Sequence, residues 1–331
     1  MALPNLAAAD QSYLSEPTTS SELIISGSRW VTDAPTRIAA VSGYFQADIG
    51  PSIRVEQTNS GKQALERLMA GQADFALMAS TPLAMTFVRL QNEGVPSESW
   101  PVILASVGLS SHTHHVIADS RDGIEQPADL AGHTLGMLSN TSAHFGWDQF
   151  TRLHGIDPDS VQLVNARPDD LAAGLADGRF NMVVAWTPFS EAAMTQLGSN
   201  ARVFPLQGVD TVSWLLVSRR RVIEEYPDVV DRVFQGYTDA ITLLQTEPGR
   251  ATALLDFSSD WLQDKRVAWK LALNWPVIAN MEAKLEWSAN QLGLPPVQLS
   301  PRQYIARDPL ERFSPDSITL PTWIPEGPIE P

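Results

Sequence analysis

The chain of 331 residues contains no cysteine. That absence excludes disulfides, thiolate zinc sites, iron–sulfur clusters, a cysteine nucleophile and a lipid anchor attached through cysteine. Positive charge is scarce as well: 23 Lys and Arg face 38 Asp and Glu, for a net charge of −15. Such a surface repels phosphate backbones and anionic bilayers, so neither nucleic acid nor a membrane surface is an expected partner. No run approaches the ~18 consecutive apolar residues that a membrane span requires. Met1 to Asp10 lack a basic stretch and a long apolar core, so they do not form an intact signal peptide. A cytoplasmic chain and an exported chain without its leader both fit. Enzyme signatures are missing too: there is no G-x-S-x-G elbow, no H-E-x-x-H and no dinucleotide glycine fingerprint. Gly61-Lys62 resembles the end of a phosphate loop, but Glu56 stands where its first glycine belongs and Gln63 where Ser or Thr should hold magnesium.

What is present is an alternation of strand and helix patterns. The hydrophobic share of 44% suits a folded chain, and the length suits two domains. Residues 1–21 read as a flexible lead-in. Short strands are expected at Leu23–Ser26, Ile53–Gln57 and Phe75–Ala79, the last followed by Ser80-Thr81-Pro82. Helices are expected over Ala34–Phe45 and on the Ala64, Leu65, Leu68 face that Gly71 stops. Further strands fit Val102–Val107, His115–Ala118 and Val212–Val217, and Ile124–Gly136 reads as a turn-and-strand segment leading to Met137-Leu138. A helix opens at Ser139–Ser142 and runs to about His154. From Pro227 the pattern turns helical, with helices over Val229–Leu244, Thr246–Asp256 and Lys265 to about Leu292. The proline-bearing tail from Pro295 is expected to wrap over the first lobe. Strands interleaved with helices imply an α/β fold with parallel sheets.

The most informative feature is an internal echo. Leu65 to Pro82 reads LERLMAGQADFALMASTP and Leu171 to Pro188 reads LAAGLADGRFNMVVAWTP. Each runs helix, glycine (Gly71, Gly178), polar residue (Asp74, Asn181), apolar strand, Thr-Pro, which suggests two lobes on one plan. Extended passages near 105–112 and 208–214 are placed to carry the chain between them. The histidine cluster His112, His114, His115 puts two imidazoles on one strand face if the strand is regular, but no carboxylate sits at ligand spacing, so polar strand or hinge residues are the simpler reading. Asp169-Asp170 read as helix-start residues rather than a catalytic pair.

APTRIAAVSGYF, NSGKQALERLMAGQADFALMASTP, the GIEQPADLAGHTLG stretch and the AWTP segment together resemble the substrate-binding proteins of bacterial ABC importers. The narrower likeness is to the group binding sulfonates, taurine, nitrate and thiamine-pyrimidine precursors, and it spans roughly residues 23–250. Asn181 departs from the acidic residue common there, and the tryptophan-rich C-terminal third does not align. The resemblance implies a type II periplasmic-binding-protein fold, with two α/β lobes joined by two crossover strands. Lobe 1 would comprise 22–109 plus 213–331, and lobe 2 110–212. It also implies an extracytoplasmic, periplasmic monomer without cofactor, whose leader has been removed and which hands a small solute to a membrane permease. Related enzymes on this scaffold use a cysteine-rich motif that this chain does not carry. A sensory module on the same fold remains a competing reading, as does a binder of a pyrimidine precursor.

Ligands in α/β sheets bind beyond the C-terminal strand ends, where helices begin. That rule nominates Ser28 and Trp30, Ser60 and Gly61, and Ser80 and Thr81 in one lobe. In the other it nominates Asn140, Thr141 and Ser142, then Trp186 and Thr187. Helix N-termini offer free N–H groups to a sulfonate or carboxylate without help from lysine or arginine. By its likeness to the acidic residue of taurine binders, Asp210 is expected to face the amine of a zwitterionic ligand.

Overall fold

The computed structural model describes residues 22–255 and 267–320. The lead-in, the last eleven residues and the segment before Val267 lie outside the described residues. The strands are β1 (Glu22–Ser28), β2 (Ser52–Thr58), β3 (Phe75–Ala79), β4 (Pro101–Ser110), β5 (His114–Asp119), β6 (Thr134–Met137), β7 (Gln162–Asn165), β8 (Met182–Trp186), β9 (Ala201–Pro205), β10 (Val212–Arg219) and β11 (Val267–Ala272). The helices are α1 (Ala34–Val41), α2 (Gly61–Met69), α3 (Ser80–Asn92), α4 (Ser142–His154), α5 (Leu171–Ala176), α6 (Phe189–Leu197), α7 (Arg220–Glu225), α8 (Pro227–Thr246), α9 (Pro248–Ala253), α10 (Trp275–Leu292), α11 (Pro301–Tyr304) and α12 (Arg307–Phe313).

Two sheets divide these strands. One has the order β2-β1-β3-β10-β4-β11 and the other β7-β6-β8-β5-β9. In each, the first three strands are parallel, and an antiparallel strand (β10, β5) closes against the third. The sheets therefore share one plan, and each has its own apolar core. The chain passes from the first sheet to the second between β4 and β5, and returns between β9 and β10. A small cluster of Met85, Phe145 and Trp287 ties α3, α4 and α10 together across the lobes. Within it the Trp287 indole donates to Asp148 Oδ2 at 2.7 Å.

Local chemistry explains the elements near the cleft. Ser60 accepts the Gln63 N–H at 3.2 Å as the N-cap of α2, whose Ala64, Leu65 and Leu68 are buried. Asn140 takes a left-handed φ of 64°, which turns the chain before Thr141, the N-cap of α4. The tail packs on the first sheet through an Ile103–Ile305 bridge and a Leu273–Ile318 bridge.

Two expectations need correction. Lys265 to Leu292 is not one helix among the described residues: Val267–Ala272 is strand β11, with Ala268 and Lys270 exposed between buried neighbours. The alternation fits a sheet edge, and α10 starts only after Asn274, with Pro276 in its first turn. Ser80-Thr81-Pro82, which follow β3 as expected, form the first turn of α3. His112 and His114 do not share a strand face, because β5 begins at His114.

Candidate functional site

A cleft lies between the lobes, with an empty volume of about 570 Å³ including its open mouth. Ser28, Trp30, Ser60, Gly61, Thr141, Ser142 and Trp186 all line it. They come from the ends of β1, β2, β6 and β8 and from the starts of α2 and α4. Each is held in place. Trp30 Nε1 donates to the Asn59 carbonyl at 3.0 Å, and the Ser142 hydroxyl shares a 3.2 Å hydrogen bond with His114 Nε2. The Thr141 hydroxyl donates to the Leu138 carbonyl at 2.8 Å. Gly61 is required by packing: a Cβ there would sit 2.9 Å from the Met78 Cα.

The other nominated residues lie elsewhere. Ser80 is 1% exposed and hydrogen-bonds Asn280, and Thr81 is fully buried, because both turn inward with α3. Asn140 serves the turn, its N–H donating to His144 Nδ1 at 3.3 Å. Thr187 is buried beside a cis bond to Pro188, with its hydroxyl 3.5 Å from Glu191. Asp210 also stands apart from the cleft lining. It meets Lys284 Nζ at 3.0 Å, with side-chain exposures of 4% and 0%. A fully buried ammonium needs such a counter-charge, so Asp210 is occupied by this protein's own cation. Burial lowers the Lys284 pKa, and Asp210 works against that shift. Asn280 and the Thr211 carbonyl complete the lysine's partners.

The strand-end rule missed several lining groups. Lys62, half-buried in the first turn of α2, brings a cation to the mouth, so the cleft does not rely on helix N-termini alone. Thr113 and His114 follow one crossover, and Val212 and Trp214 follow the other. These residues open antiparallel strands, about which a rule for parallel strand ends is silent. The residues just past each crossing would have found them. The Thr113 hydroxyl is buried without a hydrogen-bond partner in the cleft wall, a donor and acceptor left for something else.

Two titratable groups face the cleft from opposite lobes. Burial raises Asp33 from 3.8 to about 7, against hydrogen bonds from the Thr36 hydroxyl and Ser28 N–H and the charge of Arg37. Its carboxylate oxygens are both engaged, one by Ser28 N–H and the other by Thr36 Oγ1 at 2.6 Å. Burial lowers His114 to about 3, helped by the nearby His115 and Lys284 charges. That imidazole is neutral at pH 7 and can take either role in its bond to Ser142. Among the described residues, no group of three His, Cys, Asp or Glu is placed to hold a metal, and no helix is long and apolar enough to cross a membrane.

The lobes touch across the mouth. The Trp30 ring meets Phe189 edge-on with centroids 4.6 Å apart, and Arg29 lies 3.4 Å from Asp169. The ion pair is half-exposed and contributes little; the ring contact is apolar and brings the two walls together.

Comparison with known proteins agrees with this architecture. The chain is 23% identical over 212 residues to the taurine-binding periplasmic protein of Escherichia coli, an alignment covering 62% of each chain. It thus spans somewhat under two thirds of that relative's length. The alkanesulfonate-binding protein of Xanthomonas axonopodis pv. citri bound to MOPS superposes with a TM-score of 0.70 at 18% identity, over 84% of this chain and 96% of that one. The periplasmic aliphatic sulphonate binding protein of Escherichia coli superposes at 0.68 and 18% identity, over 88% and 93%. These relatives are named as binding proteins. Residues 32–251 match the NMT1/THI5-like family model; the chain belongs to that family and has the two-lobe periplasmic-binding-protein fold.

Proposed function

We propose that this protein is the extracytoplasmic solute-binding component of an ABC importer, periplasmic in location. It captures a small organic anion of the sulfonate type between its lobes for delivery to a membrane permease. The observation that carries the reading is the meeting, in one cleft, of the N-termini of α2 and α4, the Lys62 ammonium and the unpartnered Thr113 hydroxyl. Helix N-termini carry unpaired N–H groups and partial positive charge, which hold an oxyanion without desolvating a full counter-ion. An uncharged heterocycle would leave those donors and Lys62 unsatisfied. A taurine-like ammonium would find no open carboxylate in the lining: Asp210 lies outside it, its Oδ1 on Lys284 and its Oδ2 buried without a hydrogen bond, and both Asp33 oxygens are engaged. A plain anion fits better than a zwitterion.

A thermal-shift screen of organic sulfonates, carboxylates and uncharged pyrimidines tests this. At 100 times Kd a true ligand stabilises by ~2.7 kcal/mol. Sulfonates should raise Tm, and Lys62→Gln should weaken the best of them about three- to tenfold, as befits a partly exposed charge. Stabilisation by pyrimidines alone would overturn the assignment.

A further inference from the structure

Helix α10 has two packed faces. Val277, Ile278, Met281, Leu285 and Ala289 belong to the core of the first lobe. Asn280, Lys284, Trp287 and Gln291 follow one another at spacings of four, three and four residues and form a second stripe on the same helix. Every residue of that stripe is engaged by the returning crossover or by the second lobe. The Asn280 amide donates to the Thr211 carbonyl. Lys284 Nζ donates to Asp210 Oδ1 at 3.0 Å and lies 4.9 Å from the centre of the Phe145 ring of α4. Trp287 Nε1 and Gln291 Nε2 both donate to Asp148 Oδ2 of α4, at 2.7 and 3.0 Å. Trp287 is 4% exposed, yet it packs with Met85 and Phe145 rather than within either lobe's core.

The second-lobe partners of this stripe stand on the first two turns of the helix whose start faces the cleft. His144 connects them to the turn that leads into it. Its Nδ1 accepts the Asn140 N–H at 3.3 Å, its ring meets Trp287 edge-on at 5.2 Å, and its Nε2 stands 3.9 Å from Asp148 Oδ1. His144, Phe145, Asp148, Trp287 and Gln291 all lie outside the cleft lining. They act on a solute only by fixing where the Thr141–Ser142 end of α4 stands. These contacts coexist with those across the mouth, Trp30 on Phe189 and Arg29 beside Asp169. They therefore belong to the arrangement in which the starts of α2 and α4 share one cleft.

We propose that α10 is a brace for the binding site, with Asp148 as the positioning residue and Trp287 and Gln291 as its donors, and that it holds the start of α4 opposite the start of α2 before solute arrives. The proposal rests on the reading of those two helix starts as the solute site and adds what aligns them. A site aligned only part of the time binds with its affinity reduced by that fraction. The brace keeps the fraction high, so the solute does not have to shift the balance between lobe positions. Lys284 is a second tie: Asp210 fixes its charge on the crossover while Phe145 covers it from the second lobe.

Small-angle scattering of the solute-free full chain and titration calorimetry with ethanesulfonate test the brace on Asp148→Ala, Asp148→Asn and Trp287→Phe. The first removes the acceptor, the second keeps an acceptor in place, and the third removes one donor but keeps a ring. Solute-free Asp148→Ala should have a larger radius of gyration than the parent and should bind ethanesulfonate at least about fivefold more weakly. Trp287→Phe should move the same way with a loss of about two- to fourfold, and Asp148→Asn should recover most of both effects. Substitution on either helix keeps the test open if one variant fails to fold. A lower Tm with scattering and affinity unchanged would reduce the contacts to packing and overturn the proposal. Tighter binding would overturn it too, since the contacts would then be holding the lobes apart. A parent that binds no sulfonate would overturn the sulfonate reading instead, and the scattering comparison alone would then decide the brace.

Discussion

The two copies of the internal repeat solve one problem with opposite residues. In the first lobe, Asp74 lies just before β3. It accepts the Ile24 N–H on Oδ2 at 2.8 Å and the Arg219 guanidinium on Oδ1 at 2.7 Å. In the second lobe, Asn181 holds the same place before β8. It accepts the Thr134 N–H on Oδ1 at 2.9 Å and donates from Nδ2 to Asp122 at 2.8 Å. Each also donates its backbone N–H within its lobe, Asp74 to the Ile24 carbonyl at 2.9 Å and Asn181 to the Thr134 carbonyl at 3.0 Å. The departure of Asn181 from the acidic pattern therefore has a local cause. Its outer partner is a carboxylate, so the side chain must donate where Asp74 accepts. The role, pinning the inner strands at their entry, is shared; the sign of the charge is set by whichever neighbour the other chain segment supplies.

The same lesson holds in the cores. Aligned on the strands, Leu68 and Ala73 of the first copy correspond to Leu175 and Phe180 of the second. All four positions are buried. The helix keeps its leucine, but at the strand approach the second lobe has a ring where the first has a methyl group, and glycines make room for it. A Cβ on Gly174 would overlap the Phe180 ring, and one on Gly136 would lie 2.6 Å from it. The ring of Phe180 fills space that side chains at Gly136 and Gly174 would otherwise need, as close packing demands. The largest effect we expect comes from breaking this exchange. Phe180→Ala should cost ~3–5 kcal/mol by cavity formation, and Gly174→Leu alone should be destabilising by overpacking. The double variant, in which the added leucine can occupy the space the ring leaves, should recover ~1–3 kcal/mol relative to the sum of the singles. Urea unfolding of the four proteins measures it, and strict additivity would mean that the two positions do not exchange volume.

A smaller effect follows from the polar pair. Asn181→Asp places a second carboxylate against Asp122 and withdraws a donor. We expect a loss of ~0.5–1 kcal/mol, the scale of one exposed hydrogen bond exchanged for a like-charge contact. Asp122→Asn in the same chain should restore most of it. An Asn181→Asp variant as stable as its parent would show that the Asp122 contact does not decide the residue.

The alternation of strands and helices was legible because period-two and helical patterns differ over whole elements, and the echo exposed the repeated plan. Strand β11 was not, since six residues bearing Trp269 and Lys270 between helical stretches carry too short an alternation. In the cleft, the strand-end rule reached Trp30, Ser60, Thr141 and Trp186, yet it could not tell them from Ser80, Thr81 and Thr187. Those lie a residue or two further on, where the chain already turns into the core. Whether a side chain faces the cleft or the core is decided by the exact residue at which the following helix begins. Asp210 failed for a different reason. Its partner Lys284 lies 74 residues away in the part of the chain that no motif covered. Lys62 was hidden by its likeness to an incomplete phosphate loop, a comparison that drew attention to what the loop lacked rather than to where the lysine stood.

The smallest effect concerns the two walls of the cleft and pH. Asp33 in the first lobe is raised from 3.8 to about 7 by burial, so between those values the folded chain holds a proton that the unfolded chain has released. Its contribution to stability is complete below about 3.8 and is lost as pH rises through about 7. His114 in the second lobe is lowered from 6.5 to about 3, again by burial first. Its contribution is present above about 6.5 and is lost as pH falls through about 3. Over roughly pH 4 to 6.5 the two slopes oppose each other, each with a ceiling of ~1.4 kcal/mol per pH unit for one proton. The parent protein should therefore show little net dependence from this pair. Asp33→Asn should uncover the histidine, with stability rising relative to the parent as pH increases across that window. His114→Gln should uncover the aspartate, with stability falling. Urea midpoints at three pH values across the window give both slopes, and the groups common to all three proteins cancel in the differences. Parallel pH profiles for parent and variants would mean that neither wall titrates as its burial dictates.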